Sequence, residues 1–521
     1  MQRVYPSSQP LSDNAYSIHA ARNERVSLQA CIRNTAADQM VSADLSASGP
    51  DGLGVQIRRV GYVPIKHLNT DTPRSELDGV DKIPGLVPDP LFQESTVSAG
   101  PLETNSFWVN VSIPADVEPG EKEIRLTFKI GEEVAAELSA KVIVSSIVVQ
   151  PRTGFPVTHW FHADALCDWY KLEPWEDRFW EIVGTYIEDL ISHGNNCVYV
   201  PIFTPPTDGV KRPTQLLKVS TPTEGKYSFD FSYVRKWVRL ALDCGAEYFE
   251  WTHLFSQWGV KNAIRIYRSN QDRESLLWPA DTAATSDVYR NFLAQFLPAF
   301  HEFLLTEGIF EQSFFHLSDE PHGEQIVDYR AARAVLAELA PWMKVMDALS
   351  DVAYAVEGLT DIPIPSIGAA RDFKAAGVSA WAYFCCGPRG AYLNRLIDTP
   401  LAKIRMSGWL FYRLRARGFL HWGYNYWYKS QTQQMIDPFS ESAGGVWPGW
   451  PHGDAFVVYP GADGPVDSIR WEMFGESLRD YALLQTVGID PDDALLSELN
   501  DYNDFPKTED WITETRHQIL M

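Results

Sequence analysis

The stretch 177–200 reads DRFWEIVGTYIEDLISHGNNCVYV, and it decides the fold of most of the chain. Its first part predicts an amphipathic helix, ended by His193-Gly194, because one helical face collects the apolar side chains of Phe179, Ile182, Val183, Tyr186, Ile187, Leu190 and Ile191. An apolar run at 196–203 follows at once and is typical of a buried strand. An amphipathic helix beside a buried strand is the repeating unit of a parallel sheet.

The same alternation continues on both sides of this stretch. Helices are predicted at 231–244, 286–306, 325–339 and 400–417. Eight strands are predicted at 155–161, 196–203, 246–254, 313–317, 344–348, 362–367, 378–385 and 418–427. This count predicts a (β/α)8 TIM-type barrel, which we assign to residues 151–435.

The first 150 residues have a different texture, with apolar and polar residues alternating in short runs and no convincing helix. Seven strands are predicted there, at 15–21, 25–33, 42–47, 55–64, 105–114, 122–130 and 136–148. Seven such strands are typical of a β-sandwich, assigned to residues 1–150. The fold class is therefore multidomain, β followed by α/β.

Beyond the barrel, a hairpin is predicted from the runs 454–461 and 468–471, followed by a helix at 473–486 and an acidic tail. Residues 436–521 are thus expected to be a small hairpin and helix extension that packs on the barrel.

The formal charge of −23 disfavours nucleic acids and anionic membranes as partners, because both bind through cationic side chains. The first residues lack the apolar region of a signal peptide, so a cytoplasmic enzyme is expected. A secreted or periplasmic location stays open if a leader has been removed. Oligomeric state is left open.

Six cysteines are spread along the chain without a CxxC pair, which predicts buried free thiols rather than a zinc ribbon or a disulfide framework. No HExxH, GxGxxG or Walker pattern is present, and the histidines lack ligand spacing. We therefore expect no metal and no cofactor.

The strongest candidate for catalysis follows the fourth predicted barrel strand, where Ser318-Asp319-Glu320-Pro321 comes directly after 313–317. Active sites of (β/α)8 enzymes lie at the carboxyl ends of the strands. Pro321 cannot continue the ladder, so the strand is expected to fray and both carboxylates to face the cleft. In the alternative interpretation, Ser318 or Asp319 only caps the next helix and Pro321 occupies its first turn.

The seventh predicted strand contains no Asp or Glu, although many barrel glycosidases keep a nucleophilic carboxylate there. A substrate that carries its own nucleophile, a 2-acetamido oxygen, needs only an acid/base and a group that orients the amide. Glu320 would be the acid/base and Asp319 the ionised neighbour of the amide N–H. Tyr383, at the end of the seventh strand, would donate to the acetamide oxygen, unless it is simply a core residue.

Three further strand ends combine aromatic and polar residues, as sugar-binding walls do. The candidate substrate-binding residues are Trp160, His162, Asp164, Trp251, His253, Trp422, Tyr424, Asn425 and Trp427. For each of these, a role in the core is the alternative.

Five motifs, in this order along the chain, resemble glycoside hydrolase family 123 or a closely neighbouring family. They are the segments 23–30, 318–321, 418–422, 453–461 and 468–472. The resemblance implies a β-sandwich joined to a (β/α)8 barrel and an exo-acting, retaining β-N-acetylgalactosaminidase. It also implies substrate-assisted catalysis through an oxazolinium intermediate, with Asp319 orienting the amide and Glu320 as acid/base. The implied substrates are glycolipid-type glycans that end in β-linked N-acetylgalactosamine.

Two alternatives remain at this stage. A β-N-acetylglucosaminidase or a broad β-hexosaminidase differs only in the orientation of one sugar hydroxyl. A non-catalytic glycan-binding protein is the alternative from another class, and the intact acidic pair argues against it.

Overall fold

The computed structural model describes residues 1–10, 15–50, 52–205, 212–272, 274–444 and 450–521. The strands are β1 Ala15–Arg22, β2 Glu24–Arg33, β3 Val41–Ser48, β4 Gly54–Ile65, β5 Gly85–Phe92, β6 Thr96–Ala99, β7 Thr104–Ile113, β8 Gly120–Ile130, β9 Glu133–Val148, β10 Val157–His159, β11 Cys197–Val200, β12 Lys218–Thr223, β13 Lys226–Asp230, β14 Tyr248–Trp251, β15 Ser313–His316, β16 Val345–Ala348, β17 Ile362–Ile364, β18 Ala382–Tyr383, β19 Phe419–His421, β20 Val458–Pro460 and β21 Pro465–Asp467. The helices are α1 Ala163–Tyr170, α2 Asp177–Ser192, α3 Ser232–Asp243, α4 Asp287–Glu307, α5 Ile326–Leu339, α6 Ala353–Val356, α7 Ala370–Ala375, α8 Leu401–Arg413, α9 Ile469–Val487 and α10 Glu509–Leu520.

The N-terminal region is a sandwich of two sheets, ordered β1-β9-β8-β3-β6 and β2-β7-β4-β5. Strand β7 shows how the alternating pattern is used. Phe107, Val109 and Val111 enter the core between the sheets, whereas Trp108 belongs to the core shared with the barrel. The predicted sandwich is confirmed, with each of the seven predicted strands present.

Two sandwich strands, β5 and β6, were missed by the sequence analysis. Strand β5 contains Pro88 and Pro90, which cannot donate to a ladder, and it lies at the edge of its sheet. Strand β6 has only four residues and is also an edge strand. Prolines and short length made both segments look like turns.

Eight parallel strands form the barrel, in the order β17-β16-β15-β14-β11-β10-β19-β18. The ring closes between β17 and β18, where the Tyr383 N–H donates to the Pro365 carbonyl at 3.1 Å and the Ile367 N–H donates to the Tyr383 carbonyl at 2.9 Å. All eight predicted barrel strands are present, so the predicted barrel is confirmed.

The segment after the eighth strand differs in part from its prediction. The second hairpin strand is β21, not 468–471, because Ser468 caps α9 by accepting from the Trp471 N–H at 3.1 Å. Helix α9 packs closely on α8, since a Cβ on Gly408 would meet the Ser477 carbonyl. The domain boundary predicted at residue 435 therefore falls between α8 and α9, two helices that pack against each other.

The acidic tail is folded rather than extended, because α10 buries Ile512 and Leu520 and Arg516 pairs with Glu24 of the sandwich at 2.7 Å. Among the described residues, no helix is long and apolar enough to cross a membrane.

Candidate active site

The acidic pair lies where β15 leaves the barrel. The backbone N–H of Glu320 donates to the Ala348 carbonyl at 2.9 Å, and the Asp319 carbonyl accepts from the Trp258 N–H at 2.9 Å. Glu320 has a φ of +43°, in the left-handed region that non-glycine residues seldom occupy. This turn breaks the strict alternation of a strand, and strained backbone of this kind clusters at functional sites. Asp319 is buried and Glu320 is half-buried.

Helix capping does not explain the pair. The next helix, α5, begins at Ile326, and a short 3-10 turn at Gly323–Gln325 precedes it. His322 stands at the start of that turn, where its backbone N–H donates to the Gln325 side chain at 3.0 Å. The capping interpretation of Ser318 and Asp319 is therefore wrong, and Ser318 instead donates its N–H to Asp347 and its hydroxyl to the Ser256 carbonyl.

Tyr383 is the residue that the barrel brings to Glu320. Its hydroxyl donates to Glu320 Oε1 at 2.6 Å, although 63 residues separate the two in sequence. Burial, the charge of Glu320 and the nearby Cys385 raise the pKa of Tyr383 well above its ordinary value. The phenol therefore stays protonated and acts as a donor to the carboxyl group.

A second polar and aromatic contact comes from the end of the eighth strand. The Trp422 indole N–H donates to Asp454 Oδ2 at 3.1 Å, and the half-buried Trp422 ring lies 5.9 Å from Trp450. Burial raises the pKa of Asp454 to about 7. Both this contact and the acidic pair follow the carboxyl ends of barrel strands, which lie at one face of a (β/α)8 barrel.

A buried charge network supports the acidic pair from inside the barrel. The His316 ring lies between Glu250, at 2.5 Å, and Asp347, at 3.3 Å. Asp347 Oδ1 also accepts from the Ser318 N–H at 3.0 Å, next to Asp319 in sequence. Burial opposes a charge on His316, but the hydrogen bonds to Asp347 and Glu250 outweigh it and raise its pKa to about 9. We call Glu250, His316 and Asp347 the barrel network.

Comparison with known proteins identifies the family of the chain. The model of the glycoside hydrolase 123 catalytic domain matches residues 160–487. The chain belongs to glycoside hydrolase family 123. It is therefore a glycoside hydrolase, and a glycan is its substrate.

The chain is also similar to solved structures, of which the first has the same fold. A family 123 glycoside hydrolase from Clostridium perfringens, described for glycolipid glycan hydrolysis, is 16% identical with a TM-score of 0.72, covering 97% of this chain and 92% of that chain. A family 39 glycoside hydrolase from Bacteroides cellulosilyticus WH2 is 9% identical with a TM-score of 0.36, covering 92% of this chain and 83% of that one. A search of curated protein sequences gives no match.

Three of the predicted sugar-binding residues of this family 123 enzyme pack against neighbouring elements of the fold, and a role in binding sugar stays a prediction for each of them. The Trp251 ring packs on Phe300 of α4 at 4.8 Å. The Tyr424 hydroxyl donates to Asp189 of α2 at 2.5 Å, and the Trp427 indole donates to the Val458 carbonyl at 3.1 Å. All three are almost completely buried.

Four others are buried within the barrel or its rim. Trp160 donates to Glu250 at 2.7 Å, and His253 stacks on His316 at 4.4 Å. The backbone N–H of His162 donates to Asn425 Oδ1 at 2.9 Å, and Asn425 Nδ2 donates to the His162 carbonyl at 3.1 Å. These contacts give the four residues a supporting role, and a role in binding sugar stays a prediction.

Asp164 is buried in the first turn of α1, and its predicted role is also untested by these contacts. Trp422 is the predicted aromatic residue that remains half-buried beside the other mouth groups. Asp319, Glu320, Tyr383 and Trp422 are thus the predicted residues that the structure brings to the mouth.

The sequence analysis missed Asp454, Trp258 and the barrel network. Asp454 lies inside the 453–461 motif, which could have pointed to it. Trp258 is 44% exposed and touches Asp319 only through its backbone, a contact that no local pattern signals. The barrel network joins three strands, and its members look like isolated polar residues within apolar runs.

One cluster outside the mouth has metal-ligand composition. Ligand atoms of Asp189, His193 and Asp467 lie within 4.8 Å of one another. Each carboxylate already accepts from protein donors, since Asp189 accepts from Trp471 at 3.0 Å and Asp467 pairs with Arg58. The contacts are those of an ion network between the sandwich and the barrel.

Proposed function

We propose that this family 123 enzyme is an exo-acting, retaining β-N-acetylgalactosaminidase that uses the 2-acetamido group of its substrate as the nucleophile. The observation that carries the proposal is the contact of Tyr383 with Glu320. The position on the seventh strand that meets the acid holds a phenol, at 2.6 Å, where an ordinary retaining enzyme would hold a carboxylate.

The proposed steps use the two adjacent carboxylates in different roles. Glu320 gives its proton to the leaving oxygen while the acetamide oxygen attacks the anomeric carbon, which forms an oxazolinium ion. Asp319, ionised, accepts from the amide N–H and stabilises the positive charge that develops there. Glu320 then removes a proton from water, and this water opens the oxazolinium ion with net retention.

Tyr383 has a supporting part in this proposal. Its hydroxyl occupies Glu320 Oε1, which leaves Oε2 to hold and return the proton. The high pKa of Tyr383 keeps the phenol a donor through the cycle. The sequence-based prediction is different, because there Tyr383 donates to the acetamide oxygen of the substrate. For that contact to form, a bound sugar would have to displace the hydrogen bond from Tyr383 to Glu320.

The choice of N-acetylgalactosamine rests on the family. The Clostridium perfringens enzyme, a member of family 123, is described for glycolipid glycan hydrolysis, which supports a glycolipid-type glycan as the substrate. Preference for N-acetylgalactosamine over N-acetylglucosamine depends on one hydroxyl. The ratio of kcat/KM on the two aryl glycosides measures it directly.

Three variants test the roles. With aryl and alkyl β-N-acetylgalactosaminides, Glu320→Gln should lower kcat/KM by about 10²–10⁴-fold, and more for the alkyl glycoside, whose leaving group needs the proton. Asp319→Asn should lower both rates equally, because it acts on the amide and not on the leaving group. Glu324→Gln, an exposed carboxylate in the next turn, is the matched control and should leave both rates unchanged. Full activity of Glu320→Gln would overturn the assignment.

Substrate assistance is tested separately. A thiazoline analogue of the oxazolinium ion should inhibit the enzyme competitively, and azide should not produce a glycosyl azide with Asp319→Asn. A covalent glycosyl-enzyme trapped by a 2-fluoro sugar would instead establish double displacement.

A further inference from the structure

Cys385 and Cys386 form a pair of adjacent thiols at the end of the seventh strand. Their Sγ atoms lie 3.8 Å apart, close enough for one thiol to donate to the other. Both residues are free cysteines, and each is half-buried rather than closed off from solvent. The proposed mechanism uses neither sulfur.

The backbone around the two thiols is held on several sides. The Cys385 N–H donates to the Gly387 carbonyl at 2.9 Å, which closes a tight turn. Asn394 Nδ2 donates to the Cys385 carbonyl at 3.0 Å, and Arg389 Nε donates to the Cys386 carbonyl at 2.6 Å. Because these bonds fix the turn, the two sulfurs are brought together before any ligand arrives, which lowers the entropy cost of chelation.

The pair is also part of the mouth. Tyr383, two residues earlier on the same strand, donates to Glu320 at 2.6 Å. The partner thiol, burial and the charges of Asp454 and Glu320 raise the pKa of Cys385. Because Tyr383 lies only two residues before Cys385 and contacts Glu320, a group bound across the two sulfurs lies near the proposed acid catalyst.

We propose that Cys385 and Cys386 are a chelating site for trivalent organoarsenicals, and that occupation of this site blocks the active site. With phenylarsonous acid, two As–O bonds break and two As–S bonds form, and two water molecules leave with the two thiol protons. Arsenic stays trivalent throughout, so the reaction needs no oxidant. The product is a neutral ring, which suits a mouth that already contains carboxylates.

The other cysteines do not offer this chemistry. Cys167 and Cys197 are buried in the barrel region, and Cys31 and Cys244 are half-buried on β2 and at the end of α3. Among the described residues, only the adjacent pair has a sulfur–sulfur contact within 4.0 Å. A reagent that needs two thiols should therefore select the adjacent pair, whereas a monothiol reagent should not.

The test uses phenylarsine oxide on the full chain, with binding read by intact-protein mass spectrometry under non-reducing conditions. We expect one phenylarsenic adduct per chain, with two water molecules lost per arsonous acid. Excess 2,3-dimercaptopropanol should remove the adduct, whereas an equal concentration of a monothiol should leave it in place. The mass of the adduct does not depend on the sugar that the enzyme prefers.

Variants then locate the site. Cys386→Ser and, as a second variant, Cys385→Ser should each lose the adduct, with thermal unfolding as the check that each folds. Cys31→Ser/Cys244→Ser is the matched control and should keep both the adduct and the wild-type activity. An adduct that persists in both single variants, or that needs Cys31 or Cys244, would overturn the site.

The effect on catalysis is the last arm, and it rests on the proposed function for its substrate. Stoichiometric arsenical should abolish hydrolysis of the aryl glycoside by the wild type and by the control double variant, with recovery on adding the dithiol. An adduct that leaves the rate unchanged would overturn the claim of blockage while the site stands. Absence of any N-acetylgalactosaminidase activity would count against the proposed function alone, because the mass measurement is independent of it.

Discussion

Two buried histidines, His316 and His193, are each held between carboxylates, but in different parts of the molecule. His316 belongs to the barrel network and touches Glu250 and Asp347. His193 lies between the sandwich and the barrel, with its ring nitrogens 3.0 Å from Asp189 and 3.3 Å from Glu472. We call the second set, which also includes Asp467 and Arg58, the junction network.

Both histidines have raised pKa values, for the same reason. Burial opposes the charge in each case, and the neighbouring carboxylates outweigh it. The pKa of His193 rises to about 10, mainly through the charges of Asp189 and Asp467. That of His316 rises to about 9. Both are imidazolium ions near neutral pH.

The networks differ in how many cations they contain. In the junction network, Arg58 pairs with both Asp467 and Glu472, and Arg25 pairs with Glu472 at 3.1 Å. In the described part of the chain, no Lys or Arg pairs with Glu250 or Asp347, so His316 is their cation. Without its histidine, the junction keeps Asp467 and Glu472 paired with arginine, and only Asp189 loses its cation, whereas both carboxylates of the barrel network lose theirs. The comparison shows that the positive charge of the barrel network, which lies beneath the acidic pair, depends on one proton.

The largest expected effect is that of His316→Gln. Two buried carboxylates would lose their cation, and breaking a buried pair in this way costs about 3–5 kcal/mol of the free energy of unfolding. Because Asp347 holds the Ser318 N–H beside Asp319, kcat should also fall by about 100-fold with KM little changed. Urea unfolding and steady-state kinetics measure the two effects. Glu250→Gln/His316→Gln should recover part of the stability, and unchanged kcat in His316→Gln would refute the positioning role.

His193→Gln is the matched change at the junction and should have a smaller effect. Asp189 keeps its hydrogen bonds from Tyr424 and Trp471, so the loss should be about 1.5–3 kcal/mol, the usual range for a hydrogen bond to a charged group. Activity should stay within twofold of the wild type. A loss of kcat like that of His316→Gln would show that the two networks are not separate.

The two histidines should also differ in the pH range over which their contribution to stability is lost. A raised histidine pKa contributes stability that is complete below the unfolded-state pKa of 6.5 and is lost as the pH rises through the folded-state value. The contribution of His316 should therefore disappear between about pH 6.5 and 9, and that of His193 between about 6.5 and 10. The difference in unfolding free energy between wild type and each Gln variant, measured from pH 6 to 10.5, shows each window. Coincident windows would contradict the difference in pKa.

A third pair, His421 and Asp454, extends the comparison, because here the carboxyl group and not the histidine holds the proton. Burial, with Arg395 and Arg470 nearby, lowers the pKa of His421 well below its ordinary value, while burial raises that of Asp454 to about 7. The two side chains are 3.5 Å apart. At this pair, burial and the charges of the two arginines keep the histidine neutral, and the carboxyl group holds the proton below about pH 7.

Asp454→Asn should have the smallest effect on stability at pH 4, where the folded-state carboxyl group is neutral, as the amide is. A raised carboxyl pKa means that the folded state binds the proton more tightly, so stability falls as the pH rises from about 3.8 to about 7. The slope for one group is at most about 1.4 kcal/mol per pH unit. The variant should lack this slope, as denaturant midpoints at pH 4, 5.5 and 7 would show. If the unfolding free energy of wild type and variant changed equally with pH, the group that takes up the proton would not be Asp454.

Much of the fold could be predicted from periodicity alone. The helical period of 177–193 and the apolar run after it recur around the barrel, and every predicted barrel strand is present. The acidic pair at the end of the fourth strand followed from the same count, because in this fold all strand ends meet at one face. The missing carboxylate on the seventh strand was also a property of the sequence.

The sequence by itself thus determined the order of elements, the face that carries the site and the position of Asp319 and Glu320 on it. Tertiary structure alone decided which neighbour on each strand points inward. On β14, Glu250 enters the barrel and Trp251 packs on α4, and no local pattern distinguishes them because both faces of a barrel strand are buried. For the same reason, the meeting of Glu250, His316 and Asp347 from three strands exists only once the barrel has closed.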